Sequence, residues 1–266
     1  MFAKYHFIWI MIIRLSLSQA NAQFEEQPDC VIYNPSLIQE IKSGNVGSFF
    51  LWDRRANCRS CYGRMASSTL EPNEKFPVAK NISEYSEPYS YENGAKDWDC
   101  KYSAYNLIDN DPATAWVEGA HADGIGEVVI SIIENINRPL KIWSGYGKSD
   151  ALFKANGRPA KIKVNVLVSQ CHHESQAFPS GIYYEDVHVI ASHEVTLRDF
   201  NGYQKLPLPA FTHVANDNKC DAFTVPPFVK EWATIEPVYF VGVEILSVYK
   251  GSKYDDTCIS EIAQDK

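Results

Sequence analysis

The chain has no basic excess: across 266 residues, 25 Lys and Arg stand against 33 Asp and Glu, for a formal charge of −8. Nucleic-acid binding needs a basic face for the phosphates, so this balance argues against that partner. An anionic membrane surface is disfavoured for the same reason. Beyond residue 22 no apolar run approaches the roughly 20 residues that span a bilayer. Also missing are a glycine-rich phosphate loop, an HExxH helix and a GxSxG elbow, so catalysis has no positive signature. No amphipathic helix of ordinary length is found either, which leaves strands to build the core.

What is present begins with an export signal. Lys4 gives a positive start, residues 7–13 (FIWIMII) are apolar, and Ala20-Asn21-Ala22 is a small-residue cleavage site. Cleavage after Ala22 removes Lys4 and Arg14 and no acid, leaving 23 basic against 33 acidic residues and a mature charge of −10. The expectation is a secreted or periplasmic protein without a transmembrane segment. Seven cysteines follow the signal: Cys30, Cys58, Cys61, Cys100, Cys171, Cys220 and Cys258. In an oxidising compartment most should pair, and the odd count leaves at least one thiol free or intermolecular. Cys58 and Cys61 have redox or half-zinc spacing. With no second CxxC and no βαβ pattern around them, a structural role is expected.

Residues 23–61 read as an N-terminal extension, since about forty residues cannot form a sizeable core unaided. A short helix is expected over residues 35–42, with Pro35 near its entry. Residues 49–52 (FFLW) must be buried against something, and the nearby cysteines would tether the segment to the main body. From residue 62 to 266 the pattern is one of short strands between turns. Strand candidates are residues 65–70, 127–133, 140–144, 161–168, 187–197, 203–206 and 239–248. In residues 161–168, Ile162, Val164, Val166 and Val168 alternate with polar partners, the period of a half-buried strand. Residues 71–102 form a polar, aromatic loop insertion, and a loop of that length is usually functional or flexible. Its Tyr85, Tyr89, Tyr91 and Trp98 either stack on sugar rings or pack locally. The series implies an all-β sandwich in one domain of about 200 residues.

One stretch concentrates chemistry. Asp109-Asn110-Asp111-Pro112 is an acidic turn, followed by Thr114 and then Trp116. Asp, Asn and Pro stabilise bends, and several close oxygens in a bend can also hold calcium. The residues alone leave both readings open. Elsewhere, Cys171-His172-His173-Glu174 gathers ligand types, but neighbours on a strand point to opposite faces. His121 and Asp123 sit in a glycine-containing loop read as a turn into the next strand. Glu118 and Glu127 flank that loop, and paired acids can hydrolyse glycosides. In so acidic a chain, however, such carboxylates are expected to be mostly solvated. Asn81-Ile82-Ser83 matches an N-glycosylation sequon.

Three segments carry a resemblance: AYNLIDNDPATAWVEGAHADGIGEVVIS, LKIWSGYGKSDALFKANGRPAKIKV and VEILSVYKGSKYDDTCISEI, in that order. Together they resemble the jelly-roll module called the NADase-type glycan-binding domain, similar to the translocation domain beside the catalytic part of streptococcal NAD glycohydrolase. More broadly the chain is similar to discoidin, or galactose-binding-like, domains over about residues 62–266. The resemblance implies carbohydrate binding by loops at one end of the sandwich. It also implies a structural calcium held by Asp109, Asp111, Thr114 and Glu261. Asn110 replaces the glycine usual after the first acid, and asparagine tolerates left-handed backbone angles. Trp116 matches the pattern's buried tryptophan. Trp143, Tyr146 and Arg158 lie in matched segments and have suitable chemistry for sugar contact, which pairs an aromatic platform with convergent polar groups.

The expectation is therefore an exported, non-catalytic, lectin-like protein that binds a glycan or glycoconjugate. Calcium clasps the fold at the acidic turn, and the ligand binds elsewhere. The alternatives are a surface adhesin or structural module binding protein and, more weakly, a secreted hydrolase. The resemblance is to the non-catalytic part of the NADase, so it transfers no catalysis.

Overall fold

Hydrophobic alternation organises the molecule into two antiparallel sheets packed face to face. The structure is a computed structural model that describes residues 33–52, 64–74, 100–174, 181–214 and 236–264. The export signal, Cys30, Cys58, Cys61, Cys220, the Asn81 sequon and Tyr85, Tyr89, Tyr91 and Trp98 of the 71–102 insertion lie outside the described residues.

The strands are β1 (Asn45–Trp52), β2 (Arg64–Ala66), β3 (Trp116–Val117), β4 (Val128–Ile133), β5 (Leu140–Ser144) and β6 (Arg158–Ser169). They continue with β7 (Cys171–Glu174), β8 (Gly181–Thr196), β9 (Gln204–Leu206), β10 (Val238–Tyr249) and β11 (Cys258–Gln264). The larger sheet runs β1-β8-β6-β10-β4-β2, with β7 also pairing β8; the smaller runs β3-β11-β5-β9. The chain changes sheet between β2 and β3, β3 and β4, β4 and β5, β5 and β6, β8 and β9, β9 and β10, and β10 and β11. Those crossings make this the jelly-roll sandwich expected from the sequence.

The core between the sheets follows the period of two. Ile162, Val164, Val166 and Val168 on β6 meet Val241, Val243 and Ile245 on β10, with Ile142, Ile259, Ile262 and Trp116 from the smaller sheet. Trp116 is fully buried, as its place in the motif implied. Side chains of opposite parity (Val128 and Ile130 on β4, Leu167 on β6, Phe240 on β10) form a second apolar layer on the outer face of the larger sheet.

That outer layer is covered from the N-terminal side. Helix α1 (Leu37–Ser43) contributes buried Leu37 and Ile41 and ends at Gly44, whose φ of 79° suits a left-handed cap. Gly242 lacks a side chain where a Cβ would meet Leu167 Cδ1 at 3.1 Å and Ile41 Cδ1 at 3.7 Å. Burying an Ile or Leu is worth about 1.5–3 kcal/mol, so Leu37 and Ile41 are a sizeable anchor. β1 pairs β8 through Trp52↔Gly181 and Phe49↔Tyr184, adding an edge strand to the larger sheet.

The register of the smaller sheet defines the two ends of the sandwich. Leu140 pairs Gln264 at one end, while Gly145 bridges Ile259 near the other. The second end gathers the segments 109–114, 118–127, 145–157, 198–203 and 250–257. Backbone bonds such as Gly145 N–H to Cys258 O (2.9 Å) and Gly157 N–H to Asp256 O (2.9 Å) tie them together. Helix α2 (Asp150–Ala155), N-capped by Ser149, lies within this group.

Candidate functional site

The acidic turn is held by its own side chains. Asp109 Oδ1 accepts from the Asp111 N–H (2.8 Å), Asp111 Oδ1 accepts from the Ala113 N–H (2.9 Å), and the Thr114 hydroxyl donates to Asp109 Oδ2 (2.6 Å). Asn110 sits at φ 62°, the left-handed conformation foreseen for it. The Ser260 hydroxyl bonds Pro112 O (3.1 Å) and accepts from the Gly147 N–H (2.9 Å), so it joins the turn, β11 and the β5–α2 loop. Asn106 ties the preceding 3₁₀ turn (Ala104–Ile108) to Ala115 O at 2.9 Å.

Glu261, next to Ser260, is fully buried and pairs across the sheet with Trp143. Directly opposed residues project from the same face. Trp143 also packs edge-on to Tyr203, with centroids 4.9 Å apart, and the Lys141 ammonium lies 4.5 Å from the Tyr203 ring. Burial pushes the Tyr203 phenol up to about 12, with further upward pushes from Glu261 and Asp109. The first acid of the turn and the buried acid of β11 thus act on one phenol. Asp111 and Thr114 face solvent at least in part. Among the described residues, no group of three or more His, Cys, Asp or Glu side chains is gathered to hold a metal ion. A cation here would need hydroxyl and carbonyl oxygens for much of its shell.

Trp143, Tyr146 and Arg158 all lie at the loop end, in three different settings. Trp143 is half-buried on the outer face of the smaller sheet, and its indole N–H donates to Asn201 Oδ1 at 3.0 Å. Asn201 in turn donates to Asp150 Oδ1 at 2.7 Å. A Cβ on Gly147 would fall 2.7 Å from Trp143 Nε1 and 2.8 Å from Pro112 O. The acidic turn and the indole are therefore neighbours, whereas the sequence reading placed calcium and ligand apart. Tyr146 packs with Tyr102 against Ala115, Val117 and Cys258, and burial raises its phenol.

Arg158 is a scaffold residue here. It is 7% exposed, binds Asp199 through Nε and Nη2 at 2.6 and 2.7 Å, and donates from Nη1 to Asn156 O (3.2 Å) and Lys250 O (3.4 Å). Its guanidinium lies 4.8 Å from the Phe153 ring and 5.7 Å from the Tyr249 ring. One buried fork thus holds α2, the 198–203 loop and the 250–257 loop together.

The acids Glu118 and Glu127 are buried, at 0% and 8% exposure, against the expectation of solvation. Backbone and hydroxyl donors explain it. Glu118 accepts from the Thr257 N–H (3.1 Å) and the Ala120 N–H (2.8 Å), and Glu127 from the hydroxyls of Ser67 and Ser68 (both 2.5 Å). In the Cys171–Glu174 strand the two imidazoles stack on different rings, His172 on Tyr184 and His173 on Tyr183. Cys100 and Cys171 are each in a disulfide, and Cys258 is a free, buried thiol.

A jelly roll with a clasp-like turn packed on its last strand is the geometry against which relatives can be compared. A family model described as the NAD glycohydrolase translocation F5/8 type C domain matches residues 88–265. The chain belongs to this family. The match begins inside the 71–102 insertion and runs through β11. F5/8 type C domains are discoidin-like modules that generally bind carbohydrate or protein. A comparison with curated proteins finds no match. Among solved structures, two cryo-EM structures of a mutant arabinofuranosyltransferase AftD from Mycobacteria resemble the chain at 14% identity over 80% of its length. The chain spans 13% and 12% of those proteins, with TM-scores of 0.35 and 0.34, too low to carry any argument.

Sequence reasoning missed Asp150, Asn201 and Tyr203 as members of the Trp143 cluster, and Asp199 as the partner of Arg158. Chain separation hid Asn201 and Tyr203, because the β5–β9 pairing brings residues some sixty positions apart together, and Asp199 lies 41 positions from Arg158. Asp150 lies close to Trp143 in sequence but joins it only through Asn201.

Proposed function

We propose that this is an exported, non-catalytic carbohydrate-binding protein that presents its ligand site at the loop end of the sandwich. The observation that carries the reading is Trp143, a half-buried indole on an outer sheet face whose N–H is held by a polar side chain. Membership of a translocation-domain family supports export and a non-catalytic role. Among the described residues, no helix is long and apolar enough to cross a membrane. A protein partner is the second reading, favoured by Ile125, Phe200 and Tyr254, which are 56%, 47% and 39% exposed on three loops of this end. A glycan array with the mature protein separates the two. Saturable binding competed by free sugar is expected. Silence on the array, with a protein partner that binds the same loops, sinks the lectin reading.

Calcium belongs to the same proposal. The donors are hard oxygens, and buried Glu261 and the turn's Asp109 both act on the Tyr203 phenol, so two acids share one neighbourhood where a cation would balance their charge. Asp109, Asp111, Thr114 and Glu261 would hold the ion, whose role is to bind the native state alone and so stabilise it. At a hundredfold excess over Kd such binding is worth about 2.7 kcal/mol. Chelation should therefore lower the Tm of the wild type by several degrees and leave Asp109→Ala unmoved. Equal shifts in both proteins count against the site.

A further inference from the structure

The relay beside Trp143 carries the binding reading further, to a class of ligand. Tryptophan's indole nitrogen is a donor only, so the contact at 3.0 Å fixes Oδ1 of Asn201 toward the ring and Nδ2 away from it. One Nδ2 hydrogen goes to Asp150 Oδ1 at 2.7 Å. The amide's second hydrogen and Asp150 Oδ2 are then left side by side, a donor and a charged acceptor, next to the aromatic pair Trp143–Tyr203. Asp150 is exposed, and Trp143, Asn201 and Tyr203 are half-buried, so the arrangement opens to solvent.

We infer that Asp150 and Asn201 form a subsite for the vicinal diol of a neutral saccharide, whose ring packs on the Trp143–Tyr203 aromatics. One sugar hydroxyl donates to the Asp150 carboxylate and its neighbour accepts from the Asn201 amide. Each partner thereby makes the bond its chemistry allows. Anionic sugars are disfavoured because the Asp150 carboxylate lies in the subsite itself. The inference rests on the carbohydrate-binding reading and assigns residues to it that the sequence did not single out.

The test uses the mature protein on an array of glycans ending in galactose, glucose or mannose, beside sialylated and uronic-acid counterparts. The wild type should retain neutral glycans, and periodate at a strength that cleaves the ring diols of neutral hexoses to dialdehydes should abolish the binding. Asp150→Asn removes the charged acceptor from an exposed position and should weaken binding at least tenfold at an unchanged Tm. Asn201→Asp replaces the amide donor with a second acceptor and should weaken it further. Undiminished binding by Asp150→Asn, or preference for sialylated glycans, overturns the subsite while leaving the lectin reading in place. If the wild type itself retains no glycan, the lectin reading falls and the subsite falls with it.

Discussion

Arg158→Ala should lower the unfolding free energy by about 3 kcal/mol, read as a lower urea midpoint with an unchanged slope. Asp199 is 42% exposed, so the Coulombic part of the pair is screened and supplies a minority of that figure. Most of the cost lies on the buried side. The Asn156 and Lys250 carbonyls lose their shared donor, and the faces of Phe153 and Tyr249 lose a guanidinium packed against them. Arg158→Lys keeps the charge without the planar fork and should cost roughly half as much. The pair also has a pH signature. The Arg158 hydrogen bond holds the Asp199 carboxyl below its ordinary 3.8, so its stabilisation is present above that value and is lost as pH falls through the lowered one. A midpoint change worth under 1 kcal/mol for Arg158→Ala would remove the hub role. Glycan binding gives a second readout. A scaffold arginine predicts that Arg158→Lys, measured well below its lowered Tm, binds like wild type, whereas a hundredfold loss in the folded variant returns Arg158 to the ligand.

That distinction was beyond the sequence, which marks Arg158 as chemically fit for a sugar without saying what surrounds it. The alternating stretch 161–168 and the apolar stretches 140–144 and 239–248 were legible: β5 appears at the residues expected, and β6 and β10 extend one to three residues past theirs at either end. β8 begins at Gly181, six residues before its expected start, because its first half is paired on both sides by β1 and β7. β11 was hidden for a physical reason. Its residues from Cys258 to Ala263 are all buried, Ser260 and Glu261 included, so no polar–apolar alternation marks it. The six-residue α2 is too short for a helical period, and its one local signal is the Ser149 cap.

The acidic turn was legible as a bend that asparagine at 110 could tolerate, because its conformation is set by bonds between residues two to five apart. What lies opposite the turn was not, since Trp143, Tyr203 and Ser260 arrive through sheet register. The jelly roll thus converts three weak sequence signals, an acidic turn, a tryptophan on a short strand and a glutamate near the C-terminus, into one neighbourhood.

Stability should fall as pH rises from 4.5 to 7, and Glu118→Gln should flatten that slope. Glu118 is fully buried and pushed up to about 7, by burial first and by repulsion from Asp256 and Glu127, against two backbone N–H donors that pull the other way. Its reference value is 4.5. Between those values the folded chain holds a proton that the unfolded chain has released, so the proton's contribution is complete below 4.5 and gone above about 7. At 1.36 kcal/mol per pH unit the full swing is about 3 kcal/mol. Asp256, also raised by burial, tilts the curve the same way. Asp199 and Glu74 are lowered, so their opposite contributions fall below their ordinary values, outside this window. His172, lowered from 6.5 by burial, pulls the other way inside it, so the difference between wild type and Glu118→Gln, in which His172 cancels, carries the test. Glutamine keeps the side chain neutral throughout but turns an amide N–H toward one of the two backbone donors, at a cost of about 1–3 kcal/mol. The variant should therefore be the less stable protein at pH 5 and should draw level near pH 8. Urea unfolding at both values decides it: parallel pH profiles for the two proteins would mean that the Glu118 carboxyl is ionised throughout, and that the junction between the 118–127 loop and Thr257 is a charged clamp.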